Sequence, residues 1–153
     1  MRSPAPRVQH GDMSENTNST PDPKIESVQR MYQAFGRGDV DAVLAELADD
    51  VEWVSVSETP NTTVPWYGTY RGRSDVPRFF KEIASSVNVT DFAVLSITSS
   101  ESDVMVAIRW AFTVPATGKS VALHMQHWWR FGDGKVVFVR TAEDSQRTAA
   151  ALS

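Results

Sequence analysis

The chain contains no cysteine, which excludes disulfides, thiolate nucleophiles, iron–sulfur clusters and cysteine-bound zinc together. It also has no apolar run approaching the roughly twenty residues that cross a bilayer. Its first twenty residues lack the apolar segment of a signal peptide, so no membrane partner and a cytoplasmic location are expected. Basic charge is scarce: 15 Lys and Arg stand against 19 Asp and Glu, a net charge of -4, with no basic stretch interleaved with aromatics. Such a surface repels phosphate, and no nucleic acid is expected as a partner. With only three histidines, a histidine metal centre has too few ligands: His10 lies in the N-terminal stretch, and the spacing of His124 and His127 sends two strand side chains to opposite faces. Neither a metal nor a cofactor is implied.

What the chain does have is 153 residues, 41% of them hydrophobic, the size and composition of one globular domain. Aromatic residues make up 10%, with five Trp, seven Phe and three Tyr, and they cluster. Residues 1–23 hold four of the eight prolines amid small polar residues and read as a disordered tail. Residues 24–148 read as the domain and 149–153 as a short C-terminal tail.

Apolar residues at Ile25, Val28, Met31, Tyr32 and Phe35 have the three-four spacing of an amphipathic helix that ends at Gly36 and Gly38. Asp39 is a good N-cap for a second helix with Val40, Val43, Leu44 and Leu47 on its stripe. Val51–Ser57 alternates as a strand with Trp53, Ser55 and Ser57 on one face, and a Pro-bounded loop runs from Thr59 to Gly72. Ser74 is expected to cap a third helix that tolerates Pro77 in its first turn and buries Val76, Phe79, Phe80, Ile83 and Val87. Four strand-like runs follow, Phe92–Thr98, Asp103–Val114, Val121–Phe131 and Lys135–Glu143, joined by short turns as in an antiparallel meander. Three helices followed by a curved antiparallel sheet predict an α+β fold.

Alternation then assigns faces. The Val121–Phe131 run turns Leu123, Met125, His127 and Trp129 to one side, where His127 is the single polar member, and the preceding strand contributes Trp110 and Phe112. Pairing Phe131 with Lys135 would place His127 opposite Val139 and leave Glu143 about 13 Å along the next strand. The inner surface is therefore expected to carry Trp53, Trp110, Phe112, Met125 and Trp129, with Ser55, His127, Thr141 and Glu143 as polar points. A concave apolar chamber with sparse polar groups is the usual composition of a small-molecule site, although aromatic stripes at strand spacing equally suit a plain core. Trp66 and Tyr67, on the loop before the third helix, are candidates for closing the mouth. On the opposite face Met105, Ala107, Trp128 and Phe138 sit beside Arg109, His124, Gln126, Arg130 and Arg140, a mixture that suits an interface and predicts a homodimer through the outer sheet face.

The segments Met31-Tyr32-Gln33-Ala34-Phe35 with Gly38-Asp39, Leu47-Ala48-Asp49-Asp50-Val51-Glu52-Trp53, Gly68-Thr69-Tyr70-Arg71-Gly72-Arg73, and His127-Trp128-Trp129-Arg130-Phe131 before Asp133-Gly134 resemble the SnoaL-like branch of the nuclear transport factor 2-like superfamily. The resemblance spans residues 25–148 and implies a cone: a bent sheet wrapped round three helices with a cavity between, usually dimeric through the outer sheet. Ketosteroid isomerase, a member of that superfamily, uses an Asp base, a Tyr and a protonated Asp. By count those positions fall here at Ser55, near Met31 with Tyr32 one place off and turned away, and at His127. The Asp–Arg–Asp array of limonene epoxide hydrolase has no counterpart, because Arg109 alternates outward.

His127 remains as the candidate acid/base, with Glu143 as its partner carboxylate. The chain is read as a pocket protein of SnoaL-like type, an isomerase, cyclase or hydratase/hydrolase that acts on a small hydrophobic carbonyl compound by acid/base chemistry. Non-catalytic binding or sensing of a hydrophobic ligand, and a protein-interaction module, are the alternatives.

Overall fold

The computed structural model describes residues 21–153, so residues 1–20 of the expected tail lie outside it. The last residues of that tail are instead the start of the first helix. Helix α1 (Pro23–Gly36) has Asp22 as N-cap, accepting from the Lys24 N–H at 2.9 Å, and Pro23 in its first turn, where a missing N–H costs nothing. The Ser99 hydroxyl donates to the other oxygen of Asp22 at 2.6 Å and ties this cap to the sheet. Helix α1 buries Val28, Met31 and Ala34 and stops at Gly38, whose φ of +72° suits glycine.

Helix α2 (Val40–Leu44) is capped by Asp39, as expected, but lasts only five residues. Leu47, placed on that helix from its spacing, opens strand β1 (Leu47–Ser55) instead. The strand's alternation buries Leu47 and Val51 as well as any helical stripe would, so periodicity alone could not separate the two. Ser57, grouped with Trp53 and Ser55, lies beyond the strand end. The expected 59–72 loop contains strand β2 (Gly68–Arg71), which pairs antiparallel with β1. Helix α3 (Val76–Ser86) begins after Asp75 rather than Ser74, with Pro77 in its first turn. Strands β3 (Asn88–Ser99), β4 (Asp103–Val114), β5 (Lys119–Gly132) and β6 (Lys135–Glu143) follow. Of residues 149–153, read as a tail, 149–152 form the end of helix α4 (Ser145–Leu152) and Ser153 is its C-cap, with Asp144 as the N-cap and Thr148 and Ala151 buried.

The fold is α+β, with a curved, unclosed sheet in the order β2-β1-β6-β5-β4-β3. The meander expectation holds for β3 to β6, but β1 lies parallel to β6 in the middle of the sheet, so the sheet is mixed. Register shifts in the β3–β4 and β5–β6 ladders are bulges, the usual means of bending a sheet. Two one-residue shifts move β6 against β5 from the expected pairing: Lys135 pairs with Gly132 rather than Phe131 at the turn, and the bulge between Arg130 and Phe131 adds a second residue. His127 therefore faces Thr141, and Met125 faces Glu143. A slip of two preserves faces, so the inward set survives while His127 and Glu143 come to about 7 Å of separation along the strand rather than about 13 Å.

The outer face has the composition read from alternation. Met105 is exposed, and Trp128 packs edge-on against Phe138 at 5.1 Å with the Arg130 guanidinium 5.3 Å from the Trp128 ring. The arginines there are paired within the chain, Arg109 with Asp91, Arg130 with Asp103 and Arg140 with Glu58. Among the described residues no helix is long and apolar enough to cross a membrane.

Candidate functional site

Between α1, α3 and the concave side of the sheet lies a cavity of about 60 Å³. Its deep wall is aromatic: Trp53 stands perpendicular to Trp129 at 5.8 Å and packs on Phe79 at 5.2 Å, and Trp66 meets Trp110 edge-on at 6.5 Å. Such edge-to-face pairs add roughly 0.5–1.5 kcal/mol each beyond area burial and hold the rings in place. Ser55, His127, Thr141 and Glu143, the four polar residues expected from the sequence, reach the lining, and the Tyr32 phenol joins them. Trp53, Trp66, Trp110, Met125 and Trp129 also line it.

Two expected lining residues do not. Phe112 is fully buried behind Trp110, 4.7 Å from its ring, and is core. Tyr67 is not at a mouth: it is 4% exposed and its hydroxyl donates to Glu143 at 2.7 Å. Trp66, equally buried at 2%, forms wall and not rim. A groove of about 610 Å³ between α1, α2, α3 and β3 shares Tyr32, Phe35, Val43, Phe80, Ile83 and Phe92 with the cavity, so these side chains are the partition between the two spaces.

At one pole of the cavity, Tyr32 corrects the sequence reading that turned it away. The indole N–H of Trp129 donates to the Tyr32 oxygen at 3.1 Å, and that oxygen lies 2.8 Å from His127 Nδ1. Indole can only donate, and if Nδ1–H donated as well the buried phenol proton would have no acceptor among the described residues; the phenol therefore gives its proton to Nδ1, and His127 is assigned as the neutral tautomer protonated at Nε2. Among the described residues no group takes up that Nε2–H. Burial between the Tyr32 and Trp129 rings, each 5.8 Å away, pushes the His127 pKa down to about 3. Burial likewise pushes the Tyr32 phenol far up. Near neutral pH this imidazole is a hydrogen-bond donor and a poor base.

The other pole is Glu143. Trp110 Nε1 donates to its Oε1 at 2.9 Å, and Tyr67 (2.7 Å) and Thr148 (3.1 Å) donate to Oε2. Burial raises its pKa and the three donors pull the other way, with burial the larger effect. Glu143 makes no hydrogen bond to His127; the two face a common space. Thr141, expected as a ligand contact, accepts from the Val56 N–H at 3.2 Å. Val56 has φ +61°, an unfavourable backbone for a β-branched residue, and this bond braces it where β1 ends. Trp53 Nε1 is buried with no partner among the described residues. Among the described residues no group of three or more His, Asp and Glu side chains could share a metal ion. His124 is exposed opposite Arg109 on the outer face, away from His127.

A family model for the SnoaL-like domain matches residues 28–139. The chain belongs to the SnoaL-like family. Within the nuclear transport factor 2-like superfamily, this SnoaL-like domain is similar to an NTF2-like protein of unknown function from Burkholderia pseudomallei, with 25% identity and a TM-score of 0.79 over 87% of this chain and 99% of that one. It is similar to an NTF2-like protein from Burkholderia thailandensis at 26% identity, TM-score 0.76, over 88% and 99% of the two chains. TerC, co-crystallised with polyporic acid, shares the fold at 22% identity, TM-score 0.76, over 86% and 98%. No curated protein matches the chain.

Sequence reasoning missed Tyr32 and Thr148 in this SnoaL-like site. Tyr32 lay on the apolar stripe of α1 beside Met31 and Phe35, and that stripe was the signal for it. Thr148 carried no signal: a threonine in a polar C-terminal stretch acquires a role only once α4 docks under Glu143.

Proposed function

We propose that this SnoaL-like protein is a cofactor-independent acid/base enzyme that moves a proton on a small apolar carbonyl compound, in an isomerisation or an aldol-type ring closure. The observation that carries the reading is the pairing of a neutral imidazole donor with a half-buried carboxylate at two ends of one aromatic chamber. The ligand carbonyl oxygen would take the Nε2–H of His127, with the Ser55 hydroxyl beside it. Glu143, whose raised pKa brings it closer to the working pH of a general base, would take the proton from the carbon next to the carbonyl. The C–H electron pair becomes the C=C bond of an enolate, and the carbonyl π pair moves to the oxygen held by His127. Where a C=C bond of the compound is conjugated with the enolate, its π pair takes the proton back from Glu143 at the far carbon while the enolate C=C pair shifts along and the carbonyl re-forms, which completes an isomerisation; in a ring closure the proton goes to the alkoxide formed when the enolate carbon attacks a second carbonyl. An apolar chamber strengthens both contacts by excluding water.

At about 60 Å³ the chamber is small beside the 300–1,000 Å³ typical of ligand sites. Binding of a larger molecule therefore requires the Phe35–Phe80–Phe92 partition to move. The co-crystallisation of TerC, which shares this fold, with polyporic acid supports a small-molecule ligand. The test is proton exchange: a carbonyl compound that raises the melting temperature is incubated in deuterium oxide, and wild type should place deuterium next to the carbonyl. Retention of that exchange in Glu143→Gln overturns the reading.

Non-catalytic binding is the second reading, favoured by the three donors that already occupy Glu143; tight binding with no exchange in the wild type would select it. We also propose that the outer sheet face, with Met105, Trp128 and Phe138, joins two copies of the chain. A light-scattering mass of one chain would remove that proposal.

A further inference from the structure

The acidic pole is held from three elements: Tyr67 from the β1–β2 loop, Trp110 from β4 and Thr148 from α4. Their hydroxyl and indole chemistry is not equivalent. Indole N–H can only donate, so Trp110 serves the ionised carboxylate and cannot accept from the acid. Tyr67 can accept, but its hydroxyl is hydrogen-bonded to Glu143 and to Thr148, so on accepting from the acid it would have to turn its own proton to the Thr148 oxygen, and the switch again runs through Thr148. Thr148 is fully buried, and its Oγ1 lies 3.1 Å from Glu143 Oε2 and 3.1 Å from the carbonyl of Asp144. A hydroxyl has one proton, so it can give that proton to only one of these acceptors at a time.

We propose that Thr148 is a positioning residue for Glu143, a two-way hydroxyl that donates to the carboxylate and, with its own proton turned to the Asp144 carbonyl, accepts from the carboxylic acid. A base that must take up and give back a proton needs both of its states accommodated, and in a nearly apolar chamber an unoccupied acid O–H has no other acceptor. Helix α4 is thereby part of the site. It is fixed at its far end by Thr117, whose hydroxyl donates to the Ala151 carbonyl at 2.7 Å, and its cap residue Asp144 accepts from the Arg147 N–H at 3.1 Å. The titratable groups facing Glu143 are Tyr67, Asp144 at the cap and His127 across the chamber, the last neutral; Asp144 and burial both favour the protonated acid. The proposal rests on the proton-transfer reading for its purpose, but the hydroxyl geometry is independent of turnover.

The experiment titrates the Glu143 carboxyl directly in the full chain. With glutamate labelled by ¹³C at the side-chain carboxyl, the resonance lost in Glu143→Gln identifies the group, and its midpoint is followed with pH by NMR. Thr148→Val keeps the side-chain size and removes the hydroxyl; Thr148→Ala does the same should the valine variant fold poorly. Either should raise the Glu143 midpoint by about one pH unit, because the lost bond to the charged form is the stronger one, and Thr148→Ser should restore it. An unmoved midpoint, or a raised one that serine does not restore, overturns the proposal. Deuterium exchange retained in Glu143→Gln would instead defeat the proton-transfer reading and leave the titration result standing.

Discussion

The two poles of the chamber solve one electrostatic problem in opposite ways. Both put a titratable group among aromatic rings, and burial drives each toward its neutral form: His127 loses its proton down to about 3, while Glu143 holds its proton more tightly than a free carboxyl. The histidine pole is a chain, Trp129 to Tyr32 to His127, that leaves one donor unspent. The glutamate pole is a convergence of three donors on one carboxylate. A chain fixes a tautomer, whereas a convergence balances two protonation states. That difference makes the first pole suited to holding an oxyanion and the second to exchanging a proton.

The largest effect that tests this contrast is on turnover. Glu143→Gln should lower the rate of proton exchange by roughly 10²–10⁴-fold with little change in ligand affinity, and His127→Gln should lower it less, since a donor remains. Equal losses in both would erase the distinction between the poles.

Next is stability against pH. For His127 the unfolded chain binds more protons than the native one between the folded value of about 3 and the ordinary 6.5. Its contribution is complete above pH 6.5 and is lost as pH falls, by up to about 1.4 kcal/mol per pH unit. For Glu143 the native state binds more protons, so its contribution declines as pH rises through the ordinary carboxyl value and on to the raised one. Urea unfolding from pH 4 to 8 should show the rising slope vanish in His127→Gln and the falling slope vanish in Glu143→Gln; matching slopes in both variants would break the comparison.

Tyr32→Phe removes the link of the chain and leaves Trp129 N–H and His127 Nδ1 without partners, at an expected cost of about 2 kcal/mol in urea unfolding. Tyr67→Phe removes one of three donors from Glu143 and should cost less, about 1 kcal/mol. A larger loss for Tyr67 than for Tyr32 would mean the convergence is the more fragile arrangement.

Much of this frame was legible in the residues. The alternation of β4 and β5 put Trp110, Met125, His127 and Trp129 on the inner face, and the turns fixed β4 and β6 to their observed limits. The misreadings share a cause. Leu47 satisfies a helical stripe and a strand pattern alike, Gly68–Arg71 is too short to show alternation, and Tyr32 was judged by counting to a motif when its own stripe on α1 placed it inward. Phe112 belongs to the correct face, but only packing decides which residues of an inward face meet a void and which meet another ring.

From sequence alone came the α+β class, the inward faces and four polar residues of the chamber, because side-chain period and turn chemistry are local properties. The tertiary structure decided the rest. The turn register at Gly132 and the bulge after Arg130 together bring Glu143 two residues nearer to His127. The docking of α1 supplies Tyr32, and that of α4 supplies Thr148. A bulge is set by how far a sheet must bend over its helices, and a hydrogen bond between residues 95 positions apart exists only after that bending is done.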